Sequence, residues 1–198
     1  MLTMTTAVRT SEARERLLRT ASDLFYAEGL RGVGVDRVVA EASVTRATFY
    51  RHFPAKEDLV VAYLRGVDRS VRDRAGEVPA DPAGAAGWLG GLTTALGDQL
   101  CGAGFRGCAF INAAAEYPDP ASPVREAVRV HREWLVDGVR TAFAAVGHPD
   151  PPVAARRWLV LRDGAMVAGY LADPAQAQAA LDAGLHDLLA QAPGVPAA

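Results

Sequence analysis

Apolar residues recur along this chain at the spacing of an α-helix. In residues 11–28, a single helical face collects Leu17, Ala21, Leu24 and Phe25. No stretch of useful length alternates apolar with polar residues, which is the pattern of a half-buried strand. The sequence therefore predicts an all-α protein.

The periodicity predicts about nine helices, and proline or glycine marks nearly every boundary between them. The helices are expected at residues 11–28, 35–42, 45–52, a long stretch from 55 or 56, 84–101, 106–117, 123–146, 152–172 and 174–190. The second and third are short and are joined by a tight turn at Ser43–Val44. The expected architecture is an N-terminal three-helix unit with a helix-turn-helix, followed by a C-terminal helical bundle.

The third predicted helix is rich in side chains that can contact DNA. Phe49 and Phe53, one turn apart, supply a buried stripe, which leaves Arg46, Thr48 and Arg51 to face outward. Arginine makes the commonest specific contact to guanine, and a threonine methyl group can meet the methyl group of thymine. These features predict sequence-specific DNA binding, although helix-turn-helix geometry also occurs in proteins with no DNA role.

The formal net charge of −2 conceals a local excess of positive charge around this helix. From Arg31 to Lys56 the chain holds five basic residues and two acidic ones. Thr45, Tyr50 and His52 add short or rigid donors for phosphate. Lys56 opens the next helix, where the helix dipole favours an anion. The expected partner is double-stranded DNA.

Composition and short motifs argue against several other classes of protein. The longest apolar runs, 108–115 and 165–172, are shorter than the ~20 residues that span a bilayer. Residues 1–16 lack the apolar segment of a secretory signal, so a cytoplasmic location is expected. Phosphate loops, nucleophile elbows and metal-ligand spacings are missing from the sequence. Neither an enzyme nor a cofactor or metal site is predicted.

Residues 42–59 resemble the DNA-binding signature of TetR-family transcriptional regulators. They read Ala-Ser-Val-Thr-Arg-Ala-Thr-Phe-Tyr-Arg-His-Phe at 42–53 and Lys-Glu-Asp-Leu at 56–59. Two positions depart from the family pattern: Ser43 stands where a turn glycine is usual, and Gly34 where a capping Ser or Thr is common. Since glycine suits such turns better than serine, slight strain is expected at Ser43.

The resemblance implies roles for individual residues. Arg46, Ala47 and Thr48 would face base edges, and Arg37 would meet the DNA backbone. Phosphate contacts are implied for Thr45, Thr48, Tyr50, His52 and Lys56. Regulators of this family bind palindromic operators as homodimers, usually repress, and release DNA when a small molecule enters the C-terminal domain.

Four segments are predicted along the chain. They are a flexible arm at 1–10, a helix-turn-helix domain at 11–55, a ligand-binding and dimerisation domain at 56–192 and a disordered tail at 193–198. Small residues repeat at helical spacing on the last two helices, at Ala165, Ala168, Gly169, Ala172, Ala177, Ala180 and Gly184. They suit either a dimer interface or close packing within one chain.

A pocket for an unidentified small-molecule effector is predicted in the C-terminal half. Asn112 and Glu116 lie one turn apart on a mostly apolar helix, where polar groups either pair with neighbours or face a cavity. The candidate lining residues are Phe110, Asn112, Glu116, His131, Trp134, Trp158, Arg162, Met166 and Tyr170. The same residues equally describe a filled core.

Two alternatives stay open at this point. Cys101 and Cys108 could form a redox switch, but Cys108 lies in an apolar run, where cysteine usually packs as a small hydrophobe. The main rival to a DNA-binding regulator is a helical binding module without operator binding.

Overall fold

The structure is a computed structural model that describes the backbone of residues 4–192 and the side chains of residues 12–192. Within those residues the chain forms nine helices and no strand. The all-α prediction is therefore confirmed. The predicted tail at 193–198, the first three residues of the predicted arm, and all side chains of that arm lie outside the described residues.

The helices, numbered in chain order, are α1 Met4–Glu28, α2 Val35–Glu41, α3 Arg46–His52, α4 Lys56–Ala75, α5 Pro82–Leu100, α6 Ala109–Glu116, α7 Pro123–Ala145, α8 Pro151–Leu171 and α9 Pro174–Leu189. Most ends lie within about two residues of the predicted ones, which is the usual uncertainty of a helix boundary. The main difference is at α1, which begins at Met4, inside the predicted arm.

Three helices begin with the same pair of residues, an aspartate followed by proline. Asp81, Asp150 and Asp173 are the N-caps of α5, α8 and α9, and each side chain accepts a hydrogen bond from a backbone N–H in the first turn. The proline that follows lacks the N–H that a first turn would leave unsatisfied, and its fixed φ angle suits the helix. These local signals set where the helices of the C-terminal half begin.

The chain divides into two compact units. Among the described residues, the first comprises residues 4–69 and 109–128, and the second comprises residues 70–108 and 129–192. The first unit thus includes α6 and the N-terminal part of α4 in addition to α1–α3. The predicted division of function at residues 55 and 56 remains a prediction.

The first unit is organised around the packing of α1 on α2 and α3. Leu17, Ala21 and Phe25 of α1 are buried, as is Val38 of α2. Phe49 of α3 is buried completely. This core fixes the orientation of α3, whose opposite face is solvent-exposed.

The core of the second unit is one cluster of apolar side chains from α5, α7, α8 and α9. Trp158 is buried completely within it, and its indole N–H donates to Thr93 Oγ1 at 3.3 Å. Phe143 and Leu89 are also fully buried in the cluster. Trp158 is therefore a core residue, which is the alternative left open for it by the sequence.

The small residues of α8 and α9 are divided between two environments. A Cβ atom at Gly184 would lie 2.5 Å from Leu161 Cδ1, and one at Gly169 would lie 2.7 Å from Leu100 Cδ2. These glycines therefore permit close packing within the chain. Ala165 and Ala177 are buried as well, whereas the remaining three, Ala168, Ala172 and Ala180, are exposed.

The described residues contain neither a membrane-spanning helix nor a candidate metal site. No helix among residues 4–192 is long and apolar enough to cross a membrane. Within the same part of the chain, no group of three or more His, Cys, Asp or Glu side chains is placed to hold a metal ion.

Candidate DNA-binding site

The start of α3 is fixed by Thr45. This residue has extended backbone angles, and its Oγ1 accepts a hydrogen bond from the backbone N–H of Thr48 at 3.1 Å. The two threonine hydroxyls are also 3.0 Å apart. Capping by a threonine side chain stabilises a helix by roughly 0.5–2 kcal/mol relative to alanine. Thr45 and Thr48 therefore form one polar corner at the N-terminus of the helix.

The turn between α2 and α3 has a left-handed residue at Ser43. Its φ angle is 52°, and among the described residues it is the sole non-glycine with a positive φ angle. Such a conformation costs a residue with a Cβ atom about 1–2 kcal/mol. The backbone at Ser43 thus has the strain that was expected from a serine in place of the usual turn glycine.

The outer face of α3, with its cap, carries the residues predicted to read DNA. Phe49 is fully buried, and Phe53 directly after the helix is buried beneath the guanidinium of Arg14, 5.2 Å from the ring centre. The opposite face is exposed at Thr45, Arg46, Ala47, Tyr50 and Arg51 and partly exposed at Thr48 and His52. All seven side chains are thus at least partly exposed to solvent.

Arg46 faces outward as predicted, but it is not free. Its Nε donates to Asp36 Oδ1 at 2.5 Å and its Nη2 donates to Asp36 Oδ2 at 2.7 Å. Two parallel hydrogen bonds of this kind are the geometry with which arginine also binds guanine or phosphate. Asp36 therefore occupies one edge of the Arg46 guanidinium, formed by Nε and Nη2, and the N–H groups of Nη1 lie outside this pair.

Arg37 is paired in a similar way. Its side chain donates to Glu41 one turn along α2 and to Glu28 of α1, the latter at 3.1 Å. All three side chains are about half exposed to solvent. Two of the three arginines predicted to contact DNA, Arg37 and Arg46, thus have carboxylate partners.

Lys56 and His52 are less accessible than their predicted roles suggest. Lys56 Nζ donates to the backbone oxygen of Arg31 at 3.1 Å, and burial lowers its pKa. Burial also lowers the pKa of His52, and the charges of Arg51 and Arg14 lower it further. The Nε2 atom of His52 is buried with no hydrogen-bond partner in the described structure. A phosphate contact by His52 Nε2 requires a local rearrangement, whereas the ammonium group of Lys56 has two further N–H donors beyond the one bound to Arg31.

Glu116, predicted to line a ligand pocket, has a different environment. Its Oε1 accepts from the backbone N–H of Leu30 at 2.9 Å, and its Oε2 accepts from that of Arg31 at 2.6 Å. Both donors belong to the turn between α1 and α2, beside Gly29 with a φ angle of 90°. The ring of Tyr117 lies 5.3 Å from the Arg31 guanidinium. These contacts give Glu116 a structural role in the first unit and count against its role as a ligand contact.

The other predicted pocket residues are distributed between the two units. Phe110 and Asn112 belong to the first, where Phe110 is buried. The second holds the remaining six, which are His131, Trp134, Trp158, Arg162, Met166 and Tyr170. The guanidinium of Arg72 lies over the ring of Trp134, 4.6 Å from the ring centre. The guanidinium of Arg106 lies over the ring of Tyr170, 5.4 Å from the ring centre.

Sequence reasoning missed two features of functional interest. Asp36 was not identified as a partner of Arg46, because the two residues lie on different helices and only the packing angle brings them together. An exposed apolar row on α8 was also missed. It consists of Val160, Gly164, Val167, Ala168 and Leu171, with Val160 72% and Leu171 73% exposed. Apart from the adjacent pair Val167 and Ala168, these positions follow one another at intervals of 3 or 4 residues, which was a readable signal.

Comparison with known proteins places these features in a family. Residues 17–63 match the family model described as bacterial regulatory proteins, tetR family. The crystal structure of SCO4454, a TetR-family transcriptional regulator from Streptomyces coelicolor, superposes with a TM-score of 0.85 and is 48% identical in sequence. That match covers 92% of this chain and 96% of SCO4454.

Two curated relatives match over shorter stretches. The transcriptional regulator LmrA of Bacillus subtilis is 28% identical over 129 residues, which are 62% of this chain and 67% of LmrA. The transcriptional activator FasR of Mycolicibacterium smegmatis is 38% identical over 61 residues, which are 30% of this chain and 28% of FasR. With the helix-turn-helix and its exposed α3, these matches show that the chain belongs to the TetR family of transcriptional regulators and is a DNA-binding protein.

Proposed function

We propose that this protein is a homodimeric repressor that binds a palindromic operator through α3 and leaves it when a small molecule binds the C-terminal half. The observation that carries the proposal is the arrangement of α3, in which Phe49 is buried while Arg46, Ala47, Tyr50 and Arg51 are exposed. A regulator of this kind acts on chromosomal DNA, so we assign it to the cytoplasm.

The proposed DNA contacts divide into two classes. Arg46, Ala47 and Thr48, in the first turn of α3, meet base edges in the major groove, where arginine pairs with guanine. The DNA backbone is held by Arg37, Thr45, Thr48, Tyr50, Arg51, His52 and Lys56. Backbone contacts position the helix but carry little sequence information, so specificity depends mainly on Arg46 and its neighbours.

A dimer is needed because one recognition helix contacts few base pairs. Two such helices reach successive major grooves when they are ~34–36 Å apart. The apolar row on α8 supports dimerisation, since Val160, Val167 and Leu171 would otherwise remain in water. Two of the exposed alanines of α9, Ala179 and Ala183, lie one turn apart and are small enough to permit close approach by a second copy.

The DNA-binding proposal is tested by selecting operators from a random DNA library with the purified protein and measuring affinity by fluorescence anisotropy. Arg46→Ala is expected to weaken binding by about 1–3 kcal/mol and to relax preference at one base pair of each half-site. Tyr50→Ala should weaken binding to all sequences alike. Arg140→Ala is the matched control, because Arg140 is also exposed and ion-paired, with Asp137 at 2.9 Å, but lies on α7.

Each possible failure has a separate meaning. If no sequence is enriched and DNA affinity vanishes with added salt, the operator-binding proposal is wrong and the protein is a helical binding module. The direction of regulation is tested separately, with a reporter gene whose promoter overlaps the selected operator. Repression lowers reporter expression, whereas an increase would indicate an activator, as FasR is named.

A further inference from the structure

Arg162 is a buried arginine in the middle of α8. Only 7% of its surface is exposed. Trp158 and Met166, one turn before and one turn after it on the same helical face, are both buried as well. A charged group in such surroundings is costly unless its donors and its charge are matched by neighbours. The neighbours of Arg162 neither accept hydrogen bonds from all of its donors nor fully balance its positive charge.

The donors of the Arg162 guanidinium are only partly used. Nη1 donates to Asp163 Oδ1 at 2.8 Å, and Nη2 donates to Cys108 Sγ at 3.3 Å. The Nε atom is buried and has no hydrogen-bond partner in the described structure. Cysteine sulfur is a weak acceptor, so a strong donor faces a weak partner at one position and none at another.

The charge of Arg162 is also incompletely balanced by these contacts. Asp163 serves two cations, since its second oxygen accepts from Arg132 Nη2 at 2.8 Å. Burial would raise the pKa of Asp163, but the hydrogen bonds from Arg132 and Arg162 outweigh this effect and lower it, so the carboxylate is ionised. Two guanidinium groups thus share one carboxylate, and the group carries an excess positive charge.

We propose that Arg162 anchors a binding site for a small organic anion, with a carboxylate as the group recognised and an apolar body beside Met166. This inference names the chemical class of the effector and rests on the proposed function. A single carboxylate supplies one negative charge and the acceptor that Nε lacks. A cation would meet the excess positive charge, and a neutral apolar molecule would leave Nε unpaired.

The test compares carboxylates with alcohols of the same carbon skeleton. Acetate, benzoate and octanoate are titrated into the full-length protein by calorimetry, and ethanol, benzyl alcohol and octanol are titrated in parallel. At least one carboxylate is expected to bind about ten- to hundredfold more tightly than its alcohol, because a hydrogen bond to a charged group is strong when buried. Arg162→Met should abolish that preference, while Arg157→Met, which changes an exposed arginine of the same helix, should preserve it.

A second variant tests the inference if Arg162→Met does not fold. Arg162→Lys keeps the positive charge but removes the forked donor, and it is expected to lose most of the preference. The inference is overturned if no carboxylate binds more tightly than its alcohol, or if the preference survives in the folded variants. It is also overturned if Cys108→Ser binds carboxylates that the unaltered protein does not, because Cys108 would then be supplying the negative charge.

Operator affinity, measured in the same titrations, separates this inference from the proposed function. If a carboxylate binds at Arg162 but the operator complex persists, the anion site stands and release by that ligand is wrong. If an alcohol releases the operator and no carboxylate binds more tightly than its alcohol, effector release stands and the anion site is wrong.

Discussion

Asp36 of α2 binds the guanidinium of Arg46 of α3 through two hydrogen bonds, of 2.5 and 2.7 Å. Both side chains are more than half exposed, so water and salt screen the pair and its contribution to folding is small. Its main consequence concerns DNA. The donors that Asp36 occupies, Nε and Nη2, form one of the two edges through which a guanidinium can bind a guanine base or a phosphate group.

We predict that Asp36→Asn raises the affinity for non-specific DNA by about two- to fivefold, the range expected when an exposed ion pair no longer competes. The substitution also removes a negative charge near the phosphates. Fluorescence anisotropy at several salt concentrations measures the change, with Asp137→Asn as control, because Asp137 forms a comparable exposed pair on α7. A fall in affinity would show instead that Asp36 orients Arg46 for DNA.

Ser43→Gly should stabilise the protein. Glycine adopts a φ angle of 52° without strain, so we expect the free energy of unfolding to rise by about 1 kcal/mol, less the entropy cost of a glycine. Urea denaturation followed by circular dichroism measures it. Ser70→Gly within α4 is the control and should destabilise by roughly 0.5–1 kcal/mol. Equal effects of the two substitutions would refute the strain at Ser43.

Glu116→Gln should destabilise the first unit by about 1–3 kcal/mol, since an amide has one acceptor oxygen and its NH₂ group would face either the part-buried N–H of Leu30 or the exposed N–H of Arg31. The affected donors are the backbone amides of Leu30 and Arg31. Hydrogen exchange at these two amides is expected to accelerate. Glu133→Gln, at an exposed residue of α7, should leave exchange there unchanged. Unaltered protection of both amides in Glu116→Gln would contradict the assignment.

Leu171→Glu is expected to weaken the proposed dimer by at least about tenfold, because a carboxylate would replace an apolar contact at the interface. Analytical ultracentrifugation over a range of protein concentrations measures the dissociation constant. The matched control is Val130→Glu, since Val130 is an exposed apolar residue of α7 outside the row. If both variants dimerise like the unaltered protein, the interface lies elsewhere.

The sequence determined the helices well because their signals are local. The Asp-Pro pairs before α5, α8 and α9 mark helix starts, and the positions of Phe49 and Phe53 fix the outward face of α3. Contacts between distant residues were not readable. Glu116 and Leu30 are 86 positions apart, and no periodicity indicates that a carboxylate on one helix will meet a turn formed by another.

The hydrogen bonding of Arg162 was likewise not predictable from the sequence. Its place among apolar residues of α8 suggested a pocket, but a guanidinium that was fully paired would have looked identical in the sequence. Only the positions of Asp163, Arg132 and Cys108 show which of its donors are satisfied. Local patterns predict where a charged side chain lies, whereas its pairing depends on the tertiary packing.

The positions of the tryptophans confine the intrinsic tryptophan fluorescence of the protein to its second unit. Its three tryptophans, Trp88, Trp134 and Trp158, all belong to the second unit, and Trp158 lies one helical turn from Arg162. Intrinsic emission is therefore suited to reporting an anion at Arg162 without any added label. Melting of α1–α3 would leave the same emission almost unchanged, so a thermal scan by tryptophan fluorescence would follow the second unit and miss the helix-turn-helix.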